Sequence, residues 1–237
     1  MKKILIFTGA GISAESGIST FRDNGGLWDN FKVDEVATPT AWRTDRKKVL
    51  DFYNLRRREL KTVQPNLAHR IIAELENDFE VTVVTQNVDN LHERAGSKNI
   101  VHLHGELTKV RSTDNKYLIY DWEDDVNIGD KCELGSQLRP HIVWFGEMLD
   151  QYNVNMANKA ANECDVCIIV GTSMQVSPAN EIPFMTGENV PIFYIDKGIQ
   201  NFYVPEFRRH LFQHIQQPAT MGMEIIKNIL YEKFNKD

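Results

Sequence analysis

The chain has 237 residues, of which 42% are hydrophobic and 25% are charged, and its formal net charge is −6. This length allows one substantial core with a small appended module, and the negative charge argues against nonspecific binding to nucleic acid. Its apolar runs are too short to span a membrane, so no membrane partner is expected. The three cysteines form no even disulfide framework, which favours a reducing, cytoplasmic location.

Short apolar segments alternate with helical patterns along most of the chain. Strands are predicted at residues 3–7, 81–85, 99–101, 141–145, 166–170, 192–195 and 211–215. Helices are predicted at residues 47–60, 66–75, 154–162 and 220–234. Continuous apolar strands separated by helices are typical of a parallel sheet that is buried on both faces. The predicted fold class is therefore α/β, with a doubly wound, Rossmann-like sheet.

Two stretches fall outside this alternation. Residues 31–64 are mostly helical and basic in pattern, and residues 106–140 are polar with short strands. We expect these two insertions to form a second, smaller module, which leaves residues 1–30, 65–105 and 141–237 to the Rossmann-like domain. The cleft between the two parts is the expected ligand site.

The first strand leads into a glycine-rich turn at residues 9–14, with the sequence Gly-Ala-Gly-Ile-Ser-Ala. In such a turn Gly9 allows the tight bend, and Gly11 lets backbone amides approach a pyrophosphate at the start of a helix. A structural turn without a ligand is the alternative. No second strand with a terminal acidic residue follows about 20 residues on. Phe21 and Arg22 lie there instead, in a Gly/Ser-rich segment that indicates a flap over a nucleotide.

Three further segments follow predicted strands. Gln86, Asn87 and Asp89 come directly after strand 81–85, the pair His104-Gly105 follows strand 99–101, and the run Gly-Thr-Ser at 171–173 follows strand 166–170. Together with the turn at 9–14, these segments resemble the sirtuin family of NAD-dependent protein deacylases, and the resemblance covers nearly the whole chain.

The resemblance implies that NAD is a co-substrate and that the partners are acylated lysine side chains of proteins or peptides. The protein is expected to be a monomer. The acyl oxygen attacks the ribose, and His104 acts as general base, a role that suits a pKa near neutrality. The products are the free lysine, nicotinamide and an O-acyl-ADP-ribose. His92 and His102 are expected to be structural, hydrogen-bonding histidines.

The resemblance also assigns binding residues. Those for NAD are Gly9, Ala10, Gly11, Ser13, Glu15, Phe21, Arg22, Gln86, Asn87, Asp89, Gly171, Thr172, Ser173, Asp196 and Ala219. Asp196 stands where the family commonly has asparagine, although a carboxylate can also accept from ribose hydroxyls. An extended peptide is expected to add as a strand along Val143, Phe145, Gly146, Glu147 and Val176.

The chain departs from its family at the zinc site. Most relatives carry two Cys-x-x-Cys pairs after the catalytic histidine, whereas here Cys132 is alone between Gly105 and Pro140. One thiolate cannot build a tetrahedral structural site, so no metal is expected, and the aromatic and aliphatic segment 117–122 is expected to hold the module by packing. Cys164 and Cys167 have Cys-x-x-Cys spacing but enter a buried strand, where core packing is expected.

The helix at 47–60 carries a second departure. Its 3.6-residue period places Arg56 in the middle of an apolar stripe with Tyr53, while Arg57 and Arg58 are expected to turn towards solvent. A guanidinium on an apolar face needs an anion or acceptor. An internal salt bridge and a snorkelling stem are two alternatives. The third is that Arg56 and Tyr53 bind a carboxylate on the acyl chain.

A Tyr-x-x-Arg pattern resembles the sirtuin subclass that removes succinyl and malonyl groups, which also has a small residue at the position of Ala37. The predicted function is therefore removal of succinyl, malonyl and also acetyl groups from protein lysines. Protein mono-ADP-ribosyl transfer and a noncatalytic NAD or ADP-ribose sensor remain alternatives, and a hydride-transferring dehydrogenase is disfavoured by the missing acidic ribose ligand.

Overall fold

The computed structural model describes residues 1–19, 27–28 and 31–234. The strands are β1 Lys3–Thr8, β2 Leu27–Trp28, β3 Phe31–Lys32, β4 Glu80–Thr85, β5 Ile100–His102, β6 Gly105–Ser112, β7 Ile119–Asp121, β8 Leu138–Ile142, β9 Val166–Val170, β10 Ile192–Ile195 and β11 Phe212–Ile215. The α-helices are α1 Gly11–Ala14, α2 Val33–Val36, α3 Pro39–Thr44, α4 Arg46–Thr62, α5 Leu67–Leu75, α6 Leu91–Ala95, α7 Gln151–Glu163 and α8 Ala219–Phe234. Two 3-10 helices, Ala179–Met185 and Glu206–Leu211, lie before β10 and β11.

A six-stranded sheet in the order β11-β10-β9-β1-β4-β5 forms the centre of the fold, and its strand pairs are parallel. Successive side chains of a strand point to opposite faces. Accordingly, Ile4 and Ile6 of β1 join one core with α5 and α8, whereas Leu5 and Phe7 join another with α7. The predicted doubly wound α/β architecture is confirmed.

A smaller antiparallel sheet, in the order β7-β6-β8, lies beside helix α4. A third apolar cluster joins these strands to α2, α3 and α4, and it contains Phe52, Tyr53 and Trp144. The cluster draws on both stretches that the sequence assigned to the small module, 31–64 and 106–140. The boundaries of that module stay a prediction.

One predicted strand is wrong. The apolar run 141–145 was expected to be a strand, but β8 spans Leu138–Ile142 and pairs with β6 in the antiparallel sheet. The chain turns after it, because Glu147 N donates to Trp144 O and Gly146 has a φ of +87°. The segment 143–147 is thus a turn at the end of the small sheet, in which Trp144 is buried while Phe145 and Gly146 are exposed.

The described part of the chain contains no helix that is both long enough and apolar enough to cross a membrane.

Candidate active site

The glycine turn lies against the loop that follows β9. Gly11 N donates to Gly171 O at 2.7 Å, and a Cβ on Gly11 would lie 2.7 Å from Gly171 Cα. Gly171 itself has a φ of +61°, which side chains rarely adopt. These glycines therefore serve close packing of two loops. The amide of Gly11 is engaged within the protein, as are the amides of Ile12 and Ser13 in the short helix α1, and the role of Gly11 in letting other amides approach a pyrophosphate stays a prediction.

Polar side chains meet where β1 and β4 end. Ser13 Oγ donates to Asp89 Oδ2 at 2.9 Å and accepts from Asn87 Nδ2 at 3.2 Å. Gln86 Nε2 donates to Thr172 Oγ1 at 3.0 Å, which joins this group to the Gly171 loop. Burial raises the pKa of Asp89, while hydrogen bonds from Leu91 N and Ser13 act in the opposite direction. Residues predicted from three separate segments are thus in contact.

His104 follows β5 and is half-buried at the same edge. Its Nδ1 lies 2.9 Å from Gln86 O. A carbonyl oxygen only accepts, so Nδ1 carries the proton and Nε2 keeps its lone pair. Burial lowers the pKa of His104 from its ordinary value of 6.5, and the hydrogen bond to Gln86 O opposes this shift. The ring is therefore neutral at pH 7 and can accept a proton.

The two neighbouring histidines have structural surroundings, as expected. His102 places Nε2 2.6 Å from Glu93 Oε1 and Nδ1 3.3 Å from Asn87 O. Burial opposes its charge, but the hydrogen bond and charge of Glu93 raise the pKa of His102. His92 is buried, and its Nε2 lies 3.1 Å from Thr8 Oγ1; burial lowers its pKa well below the ordinary value.

The remaining predicted NAD residues are more widely spread. Glu15 Oε1 and Oε2 accept from Thr220 Oγ1 and Thr220 N at the start of α8, directly after the buried Ala219. Asp196 Oδ1 accepts from Gly198 N at 2.7 Å. The half-exposed Ala10 and Ser173 lie in the two loops that pack together. Phe21 and Arg22 lie outside the described residues.

The predicted peptide-binding turn is attached to the sheet edge through its backbone. Val143 N donates to His104 O at 2.9 Å, and Phe145 N donates to Ala37 O at 3.0 Å. Phe145 is 48% exposed, and a Cβ on Gly146 would meet nothing within 4 Å. The turn therefore presents an open surface. Val176 O accepts from Asn180 N at 3.0 Å, so this carbonyl is engaged in its own loop.

The Glu147 side chain has an internal role. Its carboxylate accepts from Arg139 Nη1 at 2.7 Å, Arg111 Nη2 at 3.1 Å and Trp144 N at 2.9 Å. Burial alone would raise the pKa of Glu147, but the hydrogen bond and charge of Arg139 lower it. The Glu147 side chain thus holds the turn in place. Contacts to the predicted peptide would therefore come from the backbone of the turn and not from this carboxylate.

Two of the predicted acyl-binding residues, Tyr53 and Arg56, lie in helix α4, and the third, Ala37, follows α2 directly. Ala37 and Tyr53 are buried in the same cluster as Trp144. Arg56 is 7% exposed; its Nη1 lies 3.2 Å from Glu59 Oε2, and its Nη2 donates to Ser19 O at 3.4 Å. The internal salt bridge considered for Arg56 is therefore present, and the side chain of its partner Glu59 is 46% exposed.

The expectation for Arg57 is wrong. Arg57 is 2% exposed, its Nε donates to Leu107 O at 2.9 Å, and its Nη1 donates to Asn54 Oδ1 at 3.0 Å. Asn54 in turn bonds Val126 N and Val126 O at 2.9 Å. Helical periodicity could not show this, because the covering groups come from the 106–140 insertion. Arg58 is exposed, as expected, and pairs with Asp125.

The expected metal-free region around Cys132 is held by hydrogen bonds. Ser112 Oγ accepts from Cys132 Sγ at 3.4 Å and from the amides of Asp114 and Asn115 at 3.3 Å. In the 117–122 segment, the alternate residues Leu118, Tyr120 and Trp122 pack partly against the cluster, whereas Tyr117 and Ile119 are exposed. Packing by that segment is therefore one-sided. Cys164 and Cys167 are buried in the core, as predicted.

Comparison with known proteins places the chain in a family. The Sir2 family profile matches residues 9–178. An NAD-dependent protein deacylase of Helicobacter pylori is 50% identical over 237 residues, 100% of this chain and 99% of that protein. A protein of the same name from Bacteroides thetaiotaomicron is 50% identical over 236 residues, 97% of this chain and 98% of that protein.

Solved structures agree with this match. A Sir2 homologue in complex with NAD is 37% identical, with a TM-score of 0.84 over 98% of this chain and 90% of that one. A mutant Sir2 homologue in complex with ADP-ribose is 36% identical, with a TM-score of 0.86 over 100% of this chain and 94% of that one. The resemblance seen in the sequence is confirmed, and the chain belongs to the Sir2, or sirtuin, family.

Proposed function

We propose that the protein is an NAD-dependent protein-lysine deacylase. The observation that carries this proposal is His104, a neutral histidine whose proton is held on Nδ1 by Gln86 O, beside the polar group of Ser13, Asn87 and Asp89. The curated relatives at 50% identity are named as enzymes of this type, and a solved relative is in complex with NAD.

The residues at the sheet edge fit NAD by their chemistry. A ribose offers hydroxyl donors and acceptors, and a carboxamide offers both kinds of group. Asp89 supplies acceptors, whereas Asn87 and Gln86 each supply donors and an acceptor. We assign the nicotinamide half of NAD to these residues, and the adenosine half to the loop 171–173 with Asp196 and Ala219. Bound NAD would supply the ribose that receives the acyl group and the nicotinamide that leaves.

His104 Nε2 is the atom proposed to take the ribose-hydroxyl proton. General base catalysis needs a basic group that is unprotonated at the working pH. The lowered pKa and the hydrogen bond on Nδ1 meet this requirement. A noncatalytic sensor would have no need for a histidine prepared in this way.

For the acyl group, we propose succinyl- and malonyl-lysine as preferred substrates and acetyl-lysine as a weaker one. Arg56 is the buried cation, Tyr53 lies one helical turn away, and the small side chain of Ala37 is buried in the same cluster as Tyr53. In the structure Arg56 is paired with the half-exposed Glu59. Because the Glu59 side chain is 46% exposed, it can turn to solvent, and an incoming carboxylate can take its place on the buried guanidinium. The three free cysteines support the predicted cytoplasmic location.

To test the proposal, the protein is incubated with NAD and with peptides that carry succinyl-, malonyl- or acetyl-lysine, and the products are identified by mass spectrometry. Free lysine peptide with O-acyl-ADP-ribose supports deacylation. ADP-ribosylated protein without loss of the acyl group would instead indicate the transferase, and no turnover would indicate a sensor.

Arg56→Met keeps the aliphatic stem and removes the charge, so it separates the substrate class from the activity. We expect kcat/KM for succinyl-lysine to fall by about tens to thousands of fold, the range for losing one partner of a buried charge pair. Acetyl-lysine should be little affected. An equal loss on both substrates would show that Arg56 is structural.

A further inference from the structure

Trp144 and Tyr53 are joined by a buried hydrogen bond of 3.0 Å between the indole Nε1 and the phenolic oxygen. The two side chains are 2% and 1% exposed. An indole N–H can only donate, so the Tyr53 oxygen accepts here. The hydroxyl proton of Tyr53 must therefore point elsewhere, and the hydrogen bonds of the described residues contain no acceptor for it. A buried donor without an acceptor is costly, which indicates a position kept for an incoming group.

The Trp144 ring is held firmly. The guanidinium carbon of Arg139 lies 3.3 Å from the ring centroid, and the ring of Trp42 packs at 5.7 Å. Arg139 is itself paired with Glu147, whose carboxylate also accepts from Trp144 N. Ring and backbone of Trp144 are thus fixed together, and the direction of its N–H is fixed with them.

Trp144 also lies between two groups of the proposed reaction. The residue before it, Val143, donates its N–H to His104 O, and the residue after it, Phe145, donates to Ala37 O. The same short turn therefore connects the proposed base, the small residue of the acyl site and Tyr53. Burial raises the pKa of Tyr53, so its hydroxyl keeps its proton at neutral pH.

We propose that Trp144 is a positioning residue for acyl specificity: its indole N–H occupies the acceptor side of the Tyr53 oxygen, so the Tyr53 O–H is directed as a donor to a carboxylate on the acyl chain. This inference rests on the proposed removal of acidic acyl groups and adds a residue to it. Without the indole N–H, the Tyr53 hydroxyl could rotate to another acceptor, and the acyl carboxylate would lose part of its binding.

The test compares kcat and KM for succinyl- and acetyl-lysine peptides in wild type, Trp144→Phe, Tyr53→Phe and the double variant. We expect Trp144→Phe to raise KM for succinyl-lysine by about 3- to 10-fold, the effect of one hydrogen bond, with little change in kcat or on acetyl-lysine. In the Tyr53→Phe background, adding Trp144→Phe should change the ratio of kcat/KM for succinyl-lysine to kcat/KM for acetyl-lysine by less than about twofold.

Trp122→Phe is the matched control, because Trp122 packs against the same cluster but its Nε1 donates to Asp125 O and not to Tyr53. It should leave the ratio unchanged. Should Trp144→Phe not fold, 3-benzothienylalanine at position 144 preserves the ring shape and lacks only the N–H.

Three results would overturn the inference in different ways. A wild-type enzyme that prefers acetyl-lysine, or that turns over no acyl-lysine, removes the proposed function and this role with it. A wild-type preference for succinyl-lysine that survives loss of the indole N–H removes the role of Trp144 alone. Equal losses on both peptides would likewise show that Trp144 is only structural.

Discussion

The edge of the parallel sheet and the small antiparallel sheet are built in different ways. At the edge, side chains from motifs next to strand ends meet directly, as in the bonds from Ser13 to Asp89 and from Asn87 to Ser13. In the small sheet, a side chain from the middle of a helix bonds the backbone of a separate insertion, as Arg57 Nε of α4 does with Leu107 O. The edge depends on local strand-to-loop geometry, whereas the small sheet depends on two insertions finding each other. Substitutions in the two regions should therefore have different consequences.

The largest effect is expected at the edge. His104→Ala should lower kcat/KM for acyl-lysine by about 10²- to 10⁴-fold through loss of a general base, while the melting temperature stays close to that of wild type. His210→Ala, at an exposed histidine, is the matched control. Near wild-type turnover by His104→Ala would remove the catalytic assignment.

The pH profile of the wild-type enzyme checks the same residue. Because the pKa of His104 is lowered from 6.5, its neutral form persists to lower pH than that of an ordinary histidine. The acidic limb of kcat/KM should therefore have its midpoint below pH 6.5 and should disappear in His104→Ala. A midpoint above pH 6.5 would contradict the lowered pKa.

The next effect is expected in the small sheet and should appear in stability. Arg57→Met removes the donor to Leu107 O and leaves that buried carbonyl unpaired, which costs about 1–3 kcal/mol of unfolding free energy. Arg58→Met, one residue on, breaks only an exposed pair with Asp125, so its change in stability should lie within experimental error. Urea unfolding of both variants makes the comparison. Equal stabilities of the two variants would show that Arg57 does not hold the insertions together.

These two arginines show what the sequence could and could not predict. Strand runs such as 166–170 were predicted correctly because they are continuously apolar, and the glycine turn because of its motif. Arg57 was predicted to face solvent because helical periodicity describes one helix alone. The groups that bury it come from around Leu107 and Val126, which lie 50 and 69 residues further along the chain. The strand predicted at 141–145 was wrong because an apolar run does not distinguish a strand from a turn. Here the run belongs partly to a turn whose Trp144 packs in the apolar cluster of the small sheet.

The smallest effect concerns metal. Where relatives are expected to hold zinc with four cysteines, Ser112 Oγ accepts from Cys132 and from two backbone amides. Hydrogen bonds thus close the loop that a metal would otherwise close. We expect protein purified without an affinity tag to contain well under one zinc per chain, and a chelator to leave its melting temperature unchanged.

Stoichiometric zinc would contradict this prediction, and the structure indicates where it would bind. Within residues 1–19, 27–28 and 31–234, the group of metal-ligating atoms that lie within 4.8 Å of one another is Glu93, His102 and Glu106, and Cys132 is not part of it. Zinc that is lost in Glu106→Gln but kept in Cys132→Ser would therefore belong to the sheet edge. Zinc lost in Cys132→Ser alone would instead mean that the small sheet is held by metal, and the contrast between the two regions would disappear.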